Sequence, residues 1–268
     1  DYPNIEFVLA KKDPSGQATN GIVRHAKEQK GYGNGSGFDA EIAADAWDNY
    51  KYMNVYIMKD LYDDGATNNS GVAWYPESWM SDNNLSRVVY NGLYLGANTD
   101  ENFRSVLTHE FGHWLNLPHT FAGESCSLEN ETFCSLTGDR SCDTPQMSLS
   151  TDMYNNSLNC LGVKTNTENF MHYTNNYAML TQDQVKRITA ALHSPMRSTL
   201  WSNSNLLAAG LDQYTNNAEH YWDGVSGIDT APSGEVIANY ENLSGVEGDI
   251  SNFQVNIPTG TEAVGFYL

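Results

Sequence analysis

Residues 109–119 read HEFGHWLNLPH, and no other stretch of this chain limits its fold so closely. His109 and His113 are four apart, so on an α-helix they stand one turn above the other and can aim both imidazoles at a single ion. Catalytic zinc takes three protein ligands and keeps a fourth position open. His119 can supply the third only if the helix stops and the chain turns back beneath it. The means to stop are present: Asn116 tolerates the left-handed conformation that closes helices, and Pro118 cannot continue one. Glu110 follows the first histidine, the position from which the carboxylate of an H-E-x-x-H pattern acts as general base on a water that zinc has acidified to a pKa of about 7. Such a site hydrolyses amides. A surface helix with a chance His-Glu pair would need neither the third histidine nor the stop, nor Trp114 and Leu115 as packing residues.

The chain has 268 residues, enough for one large domain or two, and a composition 40% hydrophobic and 18% charged that suits a folded protein with a real core. Acidic residues outnumber basic ones 33 to 14, giving a formal charge of −19, which repels a phosphate backbone and argues against nucleic acid as a partner. No run approaches the roughly 18 apolar residues that a membrane span requires, and residues 5–10 lack the length and basic flank of a signal core. The sequence therefore reads as a mature chain. Cys126, Cys134, Cys142 and Cys160 lie without any C-x-x-C pair, so disulfides in an oxidising compartment are expected rather than a second zinc site, with three connectivities open.

Taken in order, NIEFVLA at 4–10 alternates like a strand, and GYGNGSG at 31–37 is glycine-rich but lacks the G-K-[ST] ending of a phosphate loop. A helix is expected over 38–50, with Phe38, Ile42, Ala46 and Trp47 at helical spacing. Strands follow at 53–59, 71–75 and 87–95, the last with Asn91-Gly92 as an alternative turn. Thr99, Asp100 and Glu101 read as the capped start of the histidine helix. The first half is thus an α/β layer of strands and two helices, the second helix carrying the site. Residues 120–168 are irregular and hold all four cysteines, and disulfides are expected to pin them. Asp139, Asp143 and Thr144 in GDRSCDTP offer hard oxygen ligands for calcium, although solvated loop acids are the simpler reading. A helix is expected over 181–193, opened by a Thr181/Gln184 capping box. The alternation of Phe253, Val255, Ile257 and of Val264, Phe266, Leu268 reads as a hairpin cut mid-strand, as if within a second domain. The expected division is 1–210 as the catalytic domain, 211–234 as a linker or extension, and 235–268 as an incomplete β-rich segment.

HEFGHWLNLPHTFAGESC, GDRSCDTP and NFMHY followed by the TQDQ helix together resemble the pappalysin family of metzincin zinc peptidases, in particular its secreted bacterial members. The resemblance spans residues 1 to about 210. It implies a mixed, twisted α/β sheet with two helices, the histidine helix at the cleft floor, and an irregular C-terminal subdomain with one helix. It implies zinc on His109, His113 and His119, Glu110 as general base and acid, Met171 as a Met-turn beneath the metal, and Tyr173 as oxyanion donor. Calcium near the cysteine-rich loop is implied as well, as is a polypeptide substrate paired in extended form with an edge strand, for which 71–75 is the candidate. The implied function is a secreted zinc endopeptidase, with no membrane span. Asn116 stands where the family usually has Gly, and His172 where an Asp is common. The stretch from about 235 resembles the start of a small β-sandwich appended to secreted bacterial peptidases. Two other arrangements are open to the same residues: a gluzincin-type site with Glu168 as third ligand, or a non-catalytic adhesin with a structural zinc.

Overall fold

The computed structural model describes residues 3, 5–123, 134–145, 147, 158–160, 162–163, 165, 167–174 and 176–215, together with two short strands further on. The chain forms two compact units, residues 1–200 and 201–268. The first unit contains α1 (Asp39–Asp45), β1 (Asn54–Met58), β2 (Gly71–Ala73), α2 (Ser78–Asp82), β3 (Arg87–Asn91), α3 (Glu101–Arg104), α4 (Val106–Trp114) and α5 (Gln182–Leu192). No helix among the described residues is long and apolar enough to cross a membrane.

β3 is the centre of a mixed three-stranded sheet of order β1-β3-β2, parallel to β1 (Asn54↔Arg87 to Met58↔Asn91) and antiparallel to β2 (Gly71↔Tyr90, Ala73↔Val88). All five of its residues are buried, as expected for a β-branched strand covered on both faces. Successive side chains point to opposite faces of a strand, and here that alternation divides the core. Val89 joins Tyr32, Ile42, Met58, Leu61, Met80 and Leu85 on the α1 and α2 side. Val88 joins Trp114, Leu115, Leu117, Met171, Leu180 and Ile188 on the α4 and α5 side. The histidine helix is thereby held between the sheet and α5, while β1 and β2 remain edge strands.

α4 ends as its sequence requires. Leu117 N donates to Gly112 O at 2.9 Å and Asn116 N to His113 O at 2.9 Å, with Asn116 left-handed at φ 72. Two cations close the negative end of the helix. Arg187 Nη2 donates to Asn116 O (3.0 Å), and Arg197, fully buried, donates Nη2 to Trp114 O (3.3 Å) with its guanidinium 3.8 Å over the Trp114 ring. The Thr181/Gln184 capping box opens α5 as expected.

Elsewhere the elements are shorter than periodicity suggests. Residues 5–10 are not a strand: Phe7 and Leu9 are exposed, Phe7 packing its ring 4.5 Å from that of Phe111, because a strand persists only where a neighbour takes its backbone groups. The helix expected to reach Tyr50 stops at Asp45, where Asn54 captures the next backbone groups, accepting from Trp47 N (2.9 Å) and donating to Trp47 O (2.7 Å). The strand expected over 87–95 ends at Asn91, whose side chain accepts from Leu93 N (2.9 Å) and donates to Thr67 and Asn69 carbonyls. A 3-10 turn, Gly92–Tyr94, follows instead of a hairpin. The cap ahead of α4 is one residue later than expected, Asp100 accepting from Phe103 N (2.9 Å), and Ser105 separates α3 from α4.

In the irregular stretch, Cys134 and Cys142 form a disulfide and Cys160 is disulfide-bonded too; Cys126 lies outside the described residues. The second unit holds α6 (Asn203–Ala208), capped by Ser202, and an antiparallel pair, β4 (Ile228–Thr230) with β5 (Val236–Asn239). β4 falls in the stretch read as a linker, and the hairpin expected over 253–268 lies outside the described residues.

The left-handed turn yields a direct test. Asn116→Val is expected to lower the unfolding free energy by about 1–2 kcal/mol, since a β-branched residue carries the full left-handed penalty. Asn116→Gly is expected to stay close to wild type in the same urea titration.

Candidate metal centre

One turn of α4 sets His109 and His113 on a common face, and the reversal at Asn116 returns His119 to them. Their Nε2 atoms form a triangle with edges of 3.1 Å (His109 to His119), 3.0 Å (His113 to His109) and 3.0 Å (His113 to His119). Tautomers follow from the other ring nitrogens. His109 Nδ1 meets Phe170 O at 2.6 Å and His113 Nδ1 meets Leu117 O at 2.7 Å. A carbonyl only accepts, so both Nδ1 atoms carry the hydrogen and both Nε2 lone pairs are bare. Bare lone pairs facing one another at hydrogen-bond distance in a buried place repel, unless a cation receives them. A zinc ion with nitrogen bonds of about 2.0–2.1 Å fits that donor set. The three histidines could hold a metal ion, and Glu168 is not part of their cluster.

The electrostatics agree. Burial and mutual repulsion hold His109 well below its ordinary value, and burial takes His113 to about 4 and His119 to about 3. The rings are therefore neutral at pH 7, the form that binds metals. Glu110, also buried, is pushed up to about 8 by burial alone, and no described residue hydrogen-bonds its carboxyl group. The edge strand approaches it closely: a Cβ on Gly71 would stand 2.8 Å from Glu110 Oε1.

A turn from another part of the chain supports the histidines. Met171 is fully buried under Gly112, where a Cβ would overlap its sulfur. The same turn supplies the Phe170 carbonyl to His109 and the Met171 carbonyl to Thr120 N (3.1 Å). His172, buried, pairs Nδ1 with Thr120 Oγ1 at 2.9 Å, so the residue found in place of an acid ties the strand after His119 to the turn. Beneath them Asn169 and Gln184 exchange amide hydrogen bonds (2.7 and 3.1 Å), and Asn169 Oδ1 also accepts from Met171 N (2.8 Å). The capping box of α5 is thus wired into the Met171 turn. Nothing in the spacing of Thr120, Asn169 and Gln184 announces this; the capping-box pattern marks Gln184 for a local role only.

Tyr173 lies beside the centre, its ring centroid 4.9 Å from that of His119 and 5.9 Å from that of His109. Burial, with Glu110 adding to it, raises its hydroxyl above the ordinary tyrosine range. Tyr75, just beyond β2, sits edge-on to His113 at 5.7 Å. The three oxygen-bearing residues of the cysteine-rich stretch divide. Asp143 accepts from Asp183 N (2.9 Å) at the start of α5, and Thr144 donates to Ser141 O (2.8 Å). Asp139 is buried with Oδ2 unpartnered among the described residues, and burial pushes it to about 6.

An unfolded Asp titrates near 3.9, so the charged form of Asp139 is penalised in the fold. That penalty is complete above pH 6 and disappears as pH falls toward 4. In calcium-free buffer Asp139→Asn is therefore expected to stabilise the protein at pH 7 by on the order of 2 kcal/mol, a gain that shrinks by pH 4.5. Equal gains at both pH values in urea unfolding would contradict the ionisation.

Comparison with known proteins places this geometry. Residues 36–193 match the peptidase M43 family model, described as pregnancy-associated plasma protein-A. An extracellular metalloprotease of Neurospora crassa is 37% identical over 101 residues, 36% of this chain and 30% of that protein. One from Aspergillus oryzae is 42% identical over 118 residues, 42% of this chain and 35% of the relative. The matched stretch thus spans about a third of these relatives' own length. Mature mirolysin of Tannerella forsythia, solved with a cleaved peptide, has a similar fold, with TM-score 0.56 and 24% identity over 81% of this chain and 77% of that one. A promirolysin variant from the same organism gives 0.57 at 23% identity, covering 81% and 68%. The α/β architecture is that of a metzincin, and since the family model covers well over half of its length, this chain belongs to the peptidase M43, or pappalysin, family.

Proposed function

We propose that this protein is a secreted zinc-dependent endopeptidase. The observation that carries the reading is the triangle of converging Nε2 atoms, those of buried His109 and His113 bare, beside a buried carboxyl group, Glu110, that no described residue engages. A structural zinc site is closed by four protein ligands, whereas three histidines leave a position open. The names of the curated relatives, extracellular metalloproteases, support both the activity and the location.

His109, His113 and His119 are the proposed zinc ligands. Zinc, when bound, acidifies water and polarises the scissile carbonyl. Glu110 takes the proton of the attacking water and delivers it to the leaving amine nitrogen. The Tyr173 hydroxyl, kept protonated by burial, donates to the oxyanion. Gly71 admits Glu110 at the edge of the sheet, and the free edge of β2 pairs with an extended polypeptide substrate. Met171 packs below the ligands, and the carbonyl of its neighbour Phe170 positions His109.

The proposed catalytic domain is 1–210, with 211–234 an extension and 235–268 the opening of a β-rich appendage. A calcium ion is proposed at Asp139, Asp143 and Thr144, where one buried oxygen, Asp139 Oδ2, has no hydrogen-bond partner among the described residues; Asp143 and Thr144 also serve the loop and the start of α5.

The test is cleavage of a denatured protein mixture. Wild type is expected to cut, and to stop when zinc is chelated. Glu110→Ala is expected to lose about 10²–10⁴-fold in kcat/KM while retaining one zinc per chain, and Tyr173→Phe about 10²-fold. Loss of zinc from His119→Ala but not from Glu168→Ala is expected in the same preparations. One bound zinc per chain with no cuts by the wild type would make the protein a binding module instead.

A further inference from the structure

On a chain with 33 acidic and 14 basic residues, two arginines act electrostatically on Tyr75, the ring that stands beside His113. Arg187 reaches Nη2 to Asn116 O (3.0 Å), inside the turn that links His113 to His119. Its Nε is buried and has no hydrogen-bond partner among the described residues. Arg140 follows buried Asp139; its backbone is left-handed at φ 60 and its side chain is exposed. Among the described residues neither arginine forms an ion pair. The two are close enough to oppose each other, Arg140 helping to lower the basicity of Arg187. Both also pull the Tyr75 hydroxyl down against the burial that raises it, and Tyr75 stands edge-on to His113 at 5.7 Å. Asp139 acts on Arg187 in the opposite sense, yet it is a single carboxyl group against two guanidinium groups.

A buried guanidinium N–H without an acceptor is costly unless something supplies one. Guanidinium groups match carboxylates in shape and charge, through parallel N–H donors. Tyr75 provides an aromatic wall beside them. We infer that Arg140 and Arg187 are the specificity-determining pair of this site and select an acidic side chain, Asp or Glu, in the peptide lying past His113. This rests on the peptidase reading and names the substrate class for it. The chain as a whole, at −19, repels acidic peptides at long range, so the selection comes from contact at the arginine pair and not from the overall field.

The test uses peptides identical except for Glu, Gln or Lys at single positions on either side of the scissile bond. Two ratios are read: kcat/KM of the wild type, and affinity of the same peptides for zinc-loaded Glu110→Ala. Glu is expected to exceed Lys by about tenfold or more at one position in both assays, the size of one charge-assisted recognition contact. Arg140→Asp, whose new residue tolerates the left-handed backbone, is expected to abolish or invert that ratio, and Arg187→Gln to reduce it. Equal treatment of Glu and Lys, a preference for Lys, or a Glu preference that survives both substitutions would overturn the inference. If no peptide is cut, the peptidase reading fails, and the affinity ratio in Glu110→Ala still decides the inference.

Discussion

Two hydrogen bonds between imidazoles and backbone carbonyls organise the whole candidate centre. His109 Nδ1 to Phe170 O and His113 Nδ1 to Leu117 O hold each ring in one tautomer and one orientation. With those bonds made, the outer nitrogens have no choice but to present lone pairs to a common point. The carbonyls come from two different places, one from the turn that closes α4 and the other from the Met171 turn sixty residues on. Both turns are in turn fixed by other contacts: the first by left-handed Asn116 and the guanidinium of Arg187, the second by Asn169, Gln184 and Thr120. α5 contributes to both, through Arg187 above and Gln184 below.

This dependence explains why so many polar groups are buried around the helix. Arg197 and Arg87 lie fully in the interior without carboxylate partners among the described residues, their charge spread over carbonyl oxygens and the faces of Trp114 and Trp74. They behave as satisfied structural cations. Glu110, Asp139 and the Nε of Arg187 differ, for each keeps a buried polar atom or group that no described residue engages. A fold tolerates that expense where a ligand is to complete the contact.

Much of this architecture is legible without coordinates. HEFGHWLNLPH carries its own helix period, its own stop and its third histidine, and those features are local in sequence. The Thr181/Gln184 capping box and the β-branched RVVY core strand are equally local, and both appear where their patterns place them. Residues 5–10 and the second half of the stretch 38–50 have strand and helix periodicity, yet lack that structure. Their patterns report only which side chains are apolar. Whether a neighbour accepts the backbone is decided by Asn54, or by the absence of a paired edge.

The sequence by itself determined the kind of centre: residue types, ligand spacing and the turn are set within eleven consecutive positions, and a helix translates such spacing into geometry without help. Only the tertiary structure decided what surrounds it. The Asn169 to Gln184 amide pair, the His172 to Thr120 bond, the nearness of Gly71 to Glu110, and the meeting of Arg140 with Arg187 beside Tyr75 all join segments far apart along the chain. No periodicity links those segments. They meet because α4 must bury one face on the sheet and another on α5, and packing, unlike helical spacing, is not written in any one stretch.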